Sequence, residues 1–324
     1  MLLATKFVTW QGMKTSFLRQ LRCKNTQIAY GIALKQFKEY LRINHRSLDP
    51  IIMETSDDYI ALRKAIEDWI WEQSLELKES SVQNKLTAVK SFYDYLINYM
   101  IIDRNPAYMV QVTNLNTPAP LKIPESEDVD ALIANILYLS KGVDDLPARR
   151  DSLIIRFLRE GGFRVTELRN LQLSDCQTNG HVKIRVGKGN KSRITAVQIK
   201  TIEDVFTFAA HFDLTGDDYL FMSTVYYRPP WTAKMRKRQR GGAGPLTSRG
   251  LNIMLKRRSI EAGFSDSYIK MLCRPHAYRH LWAVEHIKAE TNHIFLMRMA
   301  GWTSSAMINY YLGETALDVH AVER

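Results

Sequence analysis

The sequence predicts a mainly α protein with a small antiparallel β-sheet, folded as two domains. Three observations support this. Apolar residues recur at helical spacing over most of the first hundred positions, a proline-bearing stretch without periodicity follows, and one short alternating ribbon carries the clearest β signal. At 324 residues the chain also exceeds the usual size of a single domain.

In order, Asn25–Ile43 places Ile28, Ile32, Phe37 and Leu41 near helical spacing, with Tyr30, Leu34 and Tyr40 widening the stripe. Ser56-Asp57-Asp58 offers an N-cap to a second helix bearing Ile60, Ala65, Ile66, Trp69 and Ile70. A third starts at Ser80-Ser81, carries Val82, Leu86, Val89, Tyr93, Leu96 and Met100, and is expected to stop at Asn105-Pro106. Proline lacks the N–H donor and pushes its predecessor out of helical geometry. These aromatic residues read as core. Residues 1–112 form the first domain on this reading, and residues 113–124, with three prolines, the linker.

The second domain is expected over 125–324. Ser126 caps a helix to about Leu139, and another spans Pro147–Glu160. Gly161-Gly162 then interrupts just before Phe163-Arg164, predicting a tight turn with a new helix near Thr166. His181–Val186 and Arg193–Val197 are strands joined by the glycine-containing turn 187–191, which sets Lys188 at a ribbon tip. Thr201–His211 is helical and Tyr219–Phe221 extended. Thr247 or Ser248 caps a basic helix ending near Gly263, and Pro275–Leu312 is helical with a break near Gly301.

Composition narrows the function. Apolar residues make up 45%, so an ordinary core forms without staples. Cys23, Cys176 and Cys273 are odd in number and far apart, which supports neither a disulfide framework nor a zinc site and suits a reducing cytoplasm. Neither a signal-peptide pattern nor a bilayer-length apolar run is present in the sequence, and no membrane partner is expected. The net charge of +11 favours a polyanion, because phosphate contacts release condensed counterions. Between Asp218 and Glu261 there is no acidic residue, but Arg228, Lys234, Arg236, Lys237, Arg238, Arg240, Arg249, Lys256, Arg257 and Arg258 all occur. Residues 231–245 read as a basic loop, with a solvated loop and helix face as the plainer alternative. Arg236, Lys237, Arg238 and Arg240 are its candidate DNA-binding residues.

Transesterifying DNA without a metal needs cations for the extra charge on the non-bridging oxygens, a nucleophilic hydroxyl, and an acid for the leaving oxygen. Guanidinium forks suit the first task because they bind bidentately and stay protonated. The chain offers an arginine after a glycine pair, a lysine on a hairpin, and the run Arg274–His280. There His276 and Arg279 share a helical face, and Pro275 suits a first helical position. Taken singly, each is as readily structural.

Together they resemble a family. Gly162–Leu168 with Leu171 and Asp175 is similar to the first arginine box of the tyrosine recombinases, or phage integrases. Val186–Arg193 is similar to their lysine hairpin, Pro275–His280 to their His-x-x-Arg box, and Ala300-Gly301-Trp302 followed by Tyr311 to their last box and nucleophile. The boxes keep the family's order, and the preceding helices with Asn105-Pro106 loosely resemble its core-binding domain.

The resemblance implies a C-shaped clamp of a helical, SAM-like core-binding domain and an α+β catalytic domain. It further implies a site-specific recombinase of a mobile element, acting in integration, excision, transposition or resolution, with no cofactor and no metal. Tyr311 would form a 3′-phosphotyrosyl link, Arg164 and Arg279 clamp the non-bridging oxygens, and Lys188 protonate the 5′ oxygen. His276 would assist the tyrosine or bind phosphate, and Glu167 would orient the arginine box. Where members usually carry histidine this chain has Trp302, which either packs on the nucleophile's helix or offers its indole N–H. Tyr310 is a packing residue on this reading, and His280, His286 and His293 show no ligand pattern. Implied partners are a double-stranded recombination site, further copies of the chain in a synaptic tetramer, and accessory DNA-bending proteins. Competing readings are a type IB topoisomerase-like activity and a DNA-binding architectural protein or repressor with a decayed site.

Overall fold

A computed structural model of the chain describes residues 9–53, 55–112, 123–140, 145–185, 192–211, 214–222 and 245–312. The chain divides into two compact units, Met1–Pro118 and Ala119–Arg324. Among the described residues no helix is long and apolar enough to cross a membrane.

The first unit holds α1 (Trp10–Gln20), α2 (Lys24–Asn44), α3 (Ser56–Glu76) and α4 (Glu79–Asn98). They bury an aromatic-rich core that includes Trp10, Phe17, Phe37, Trp69, Phe92 and Tyr93. Helix α3 is capped by Thr55, one residue before the expected position, in a reciprocal box with Asp58. On α2 the buried stripe is Ala33, Leu34, Phe37, Tyr40 and Leu41. Ile28 and Ile32, expected in it, are exposed because six and two residues before Leu34 fall on other faces of the helix. Helix α4 stops at Asn98, not at Asn105-Pro106. Met100 takes φ 55° there, turning the chain without glycine or proline. Asn105 instead pins a later turn, donating from Nδ2 to Lys90 O and Asp94 Oδ1 and accepting from the Ala107 N–H.

The second unit contains α5 (Ser126–Tyr138), α6 (Leu146–Gly161), α7 (Val165–Arg169), the strands β1 (His181–Ile184) and β2 (Arg193–Ala196), and α8 (Ile199–His211). It continues with α9 (Ser248–Glu261), α10 (Asp266–Leu272), α11 (Pro275–Lys288) and α12 (His293–Ala300), and a last helix, α13, covers residues 306–312. The strands pair antiparallel with Val182 opposite Thr195 and Ile184 opposite Arg193. Val182 and Ile184 face the core while His181 and Lys183 face out, the alternation the sequence predicts. Thr195 Oγ1 donates to Gly161 O at 2.9 Å, tying the sheet to the end of α6. The hairpin turn with Lys188 and the basic loop with Arg236, Lys237, Arg238 and Arg240 lie outside the described residues.

Two differences from expectation concern the basic run and the C-terminal helices. Arg257 and Arg258 are engaged internally. Both bind Asp151 Oδ2, at 3.0 and 2.9 Å, and that carboxylate is fully buried. The stretch from Pro275 also breaks twice, since α11 ends before Glu290, whose φ is 53°, and Asn292 caps α12.

Candidate active site

The site begins with a glycine that no other residue can replace without strain. Helix α6 stops as Gly162 enters the left-handed region at φ 57°, where a Cβ would lie 2.4 Å from the Trp282 ring. The turn leaves Arg164 as the N-cap of α7, and Glu167 reaches back to it. Glu167 Oε2 accepts from the Arg164 N–H at 2.8 Å, and Oε1 accepts from Arg164 Nη1 at 2.8 Å. The same carboxylate takes a bidentate grip from Arg193, Nη1 to Oε1 at 2.6 Å and Nη2 to Oε2 at 2.7 Å. Arg193 Nε donates to Met299 O at 2.7 Å, so this one arginine ties β2 to both α7 and α12. Burial pushes the Glu167 carboxyl up, but the bonds from Arg193 and Arg164 outweigh it and hold the group at about 2.

Helix α11 supplies the next groups. Pro275 occupies its first turn, where the missing N–H costs nothing. His276, Arg279 and His280 follow at spacings that share a face. Arg279 is 2% exposed, and its two Nη atoms donate to backbone carbonyls, Nη1 to Gly162 O and Nη2 to Ala300 O. Burial and then the neighbouring Arg164 pull its guanidinium down to about 10, which leaves it a cation at neutral pH. Burial, with Arg279 and Arg164 beside it, also lowers the His276 imidazole, so this ring is neutral at pH 7.

Past the left-handed Gly301, at φ 65°, the chain brings in Trp302 and α13. The Trp302 ring stacks on Tyr311 at 5.5 Å and 23°, and Arg279 Cζ lies 5.9 Å from the indole centroid. Tyr311 is 1% exposed and its hydroxyl is hydrogen-bonded to His280 Nδ1. Burial raises the Tyr311 phenol to about 12 against the opposing pull of Arg279. Tyr310, its neighbour, is 43% exposed and turned elsewhere, as adjacent helical residues must be.

A cavity of about 530 Å³ is lined by Arg164, His276, Arg279, Trp302, Met307 and Tyr311, among others. A broader groove of about 970 Å³ shares Arg164 and Trp302 and adds Lys183, Arg193 and Arg298. Five candidates from the sequence thus converge on one cavity, with Glu167 behind them. Lys188 and the four loop cations are not placed, since they fall outside the described residues. Sequence reasoning missed Arg193 and His280. The spacing of His280 to His276 was a usable signal, because four residues on a helix put two rings on one side, here 4.8 Å apart. Among the described residues no three His, Cys, Asp or Glu side chains gather as metal ligands.

The comparisons agree on a family. The profile of the phage integrase family matches residues 125–316. The chain is 26% identical to tyrosine recombinase XerD of Rickettsia bellii over 266 residues, covering 80% of this chain and 78% of that protein. It is 22% identical to tyrosine recombinase XerC of Leptospira interrogans, covering 99% and 91%. The fold is similar to the XerH site-specific recombinase in its post-cleavage complex on palindromic difH substrate, with a TM-score of 0.62, 16% identity, and 88% and 75% of the two chains covered. It is also similar to the Tn1549 transposon integrase in complex with transposon right end DNA, with a TM-score of 0.63, 12% identity, and 97% and 99% covered. With a family profile matching more than half of its length and these relatives spanning most of the rest, the chain belongs to the phage integrase family of tyrosine recombinases.

Proposed function

We propose that this protein is a site-specific DNA recombinase of a mobile element, cutting and rejoining duplexes through a 3′-phosphotyrosyl link on Tyr311. One observation carries the reading: Tyr311 lines a single cavity with Arg164, His276 and Arg279, groups drawn from three separate stretches of chain. In the transition state of attack on phosphorus, negative charge builds on the non-bridging oxygens. Two guanidiniums held in advance by Glu167 and by backbone carbonyls stabilise that charge without reorganising. His276, neutral beside them, donates or accepts at a phosphate oxygen, and Trp302 fixes the nucleophile's ring by stacking. Lys188 supplies the proton for the departing 5′ oxygen. The phosphotyrosyl bond conserves the energy of the bond it replaces, so neither cofactor nor metal takes part. Relatives seen on their DNA, such as XerH on difH and the Tn1549 integrase on transposon DNA, favour a double-stranded recombination site as substrate. Assembly as a tetramer on paired sites, with accessory DNA-bending proteins, belongs to the same proposal.

The test uses nicked duplexes of randomised sequence, from which covalently captured DNA is recovered and defined as substrate. A covalent adduct formed in EDTA, lost in Tyr311→Phe and kept in Tyr310→Phe, supports the reading. Sequence-selective binding without any adduct would instead favour a DNA-binding protein that does not cut.

A further inference from the structure

Resting on the recombinase reading above, we propose that His280 is a catalytic residue, its Nδ1 taking the phenolic proton of Tyr311 as Oη bonds to phosphorus. The observation is direct contact with a reacting atom: among the described residues, the Tyr311 hydroxyl is hydrogen-bonded to His280 Nδ1. The two rings lie 5.6 Å apart at 53°, and Trp302 stacks on the tyrosine, so the phenol keeps its rotation about the ring–oxygen bond but not its position.

Chemistry favours this direction of the hydrogen bond. The phenol, buried and 1% exposed, retains its proton and needs an acceptor. Acting on His280 are His276 and Arg279 from its own helix and Tyr311 from α13, with Arg164 across the cavity beyond His276. Burial first, then His276 and Arg279, lowers the imidazole to about 4. The ring is therefore neutral at pH 7, and a bare Nδ1 gives Oη–H its acceptor. A phosphate in the cavity changes both partners. Its charge offsets the nearby guanidiniums, which raises the imidazole, and the growing Oη–P bond makes the phenolic proton strongly acidic. Proton transfer, uphill in the free protein, becomes favourable along the reaction coordinate.

The step balances. The Oη–P bond forms and the P–O5′ bond breaks. The phenolic proton moves to His280 Nδ1, and the 5′ oxygen takes a proton from the Lys188 ammonium or from water. Rejoining reverses each transfer, the imidazolium returning its proton to Oη, with no change in oxidation state.

His280→Asn tests the idea, because asparagine can accept a hydrogen bond there but cannot take up a proton. With captured DNA as the probe, single-turnover adduct formation is expected to fall about 100-fold or more. The acid limb of the wild-type pH–rate profile should vanish in the variant. Imidazole added to His280→Ala should restore part of the rate, which a purely structural histidine does not allow. Without DNA, ¹⁵N NMR of labelled histidine should show the His280 Nδ1 unprotonated at pH 7 and perturbed by Tyr311→Phe. A protonated Nδ1 overturns the proposal, as does a Tyr311-dependent adduct with rate and pH profile unchanged in His280→Asn; either leaves the recombinase reading intact. A wild type that forms no Tyr311-dependent adduct removes the recombinase reading itself, and this step with it.

Discussion

Replacing Glu167 by glutamine removes one proton-dependent charge from the centre of the site while keeping its shape. Glutamine stands in for the protonated acid, so the cost of the change is the free energy of ionising Glu167 in the folded protein relative to the unfolded chain. The carboxyl moves from 4.5 to about 2. At 1.36 kcal/mol per unit, this gives about 3 kcal/mol at pH 7, within the range for breaking a buried ion pair. The native value is the lower one, so this stability is complete above about pH 5.5 and shrinks as pH falls through 4.5 towards 2. By the same linkage the difference between wild type and Glu167→Gln narrows to about 1 kcal/mol at pH 3. Urea unfolding, followed by fluorescence of the catalytic unit from pH 7 down to pH 3, measures it. Parallel stability curves for the two proteins would show that the Arg193 and Arg164 bonds do not hold the acid ionised.

Gly162→Ala combines a left-handed backbone with a Cβ placed 2.4 Å from Trp282. It should cost about 3 kcal/mol in unfolding experiments, and an unchanged urea midpoint would refute the close packing. Arg164→Ala and Arg279→Ala should bind DNA nearly as wild type yet lower adduct formation by about 100- to 1000-fold. Adduct formation that survived both changes would take the phosphate clamp away from these arginines. Replacing Arg236, Lys237, Arg238 and Arg240 by glutamine should weaken binding to all DNA sequences alike. The salt dependence should flatten by about 0.9 in log–log slope for each phosphate no longer neutralised, and an unaltered slope would return the loop to solvent.

Local features were legible in the sequence, and long-range pairings were not. The glycine pair at 161–162 announced a turn because few residues tolerate φ near 57°, and the alternation of Val182 and Ile184 announced a half-buried strand. His276 and Arg279 could be placed on one face by spacing alone. Arg193 could not be paired with Glu167 in the same way, because the two are 26 residues apart and no periodicity links them. The hydrogen bond from Tyr311 to His280 is a product of packing between helices α11 and α13, so the tyrosine's burial was equally hidden. Helix ends at Asn98 and before Glu290 were missed for a common reason: Met100 and Glu290 take positive φ that their residue types rarely adopt. Ile28 and Ile32 show the converse error, apolar residues spaced for a helix but standing in solvent.

Arg279 and Arg164 are restrained by different chemistry. Arg279 plugs the C-terminal ends of two helices, the last carbonyl of α12 and the capping carbonyl of α6, each end carrying roughly half a negative charge. These acceptors do not titrate, whereas the acceptor beside Arg164 is a carboxylate that does. Only acid strong enough to protonate Glu167, near pH 2, should therefore slacken one side of the cavity, while the other stays fixed. An incoming phosphate meets in Arg279 a guanidinium already positioned by main-chain carbonyls and still cationic, with no hydrogen-bonded anion to displace from it.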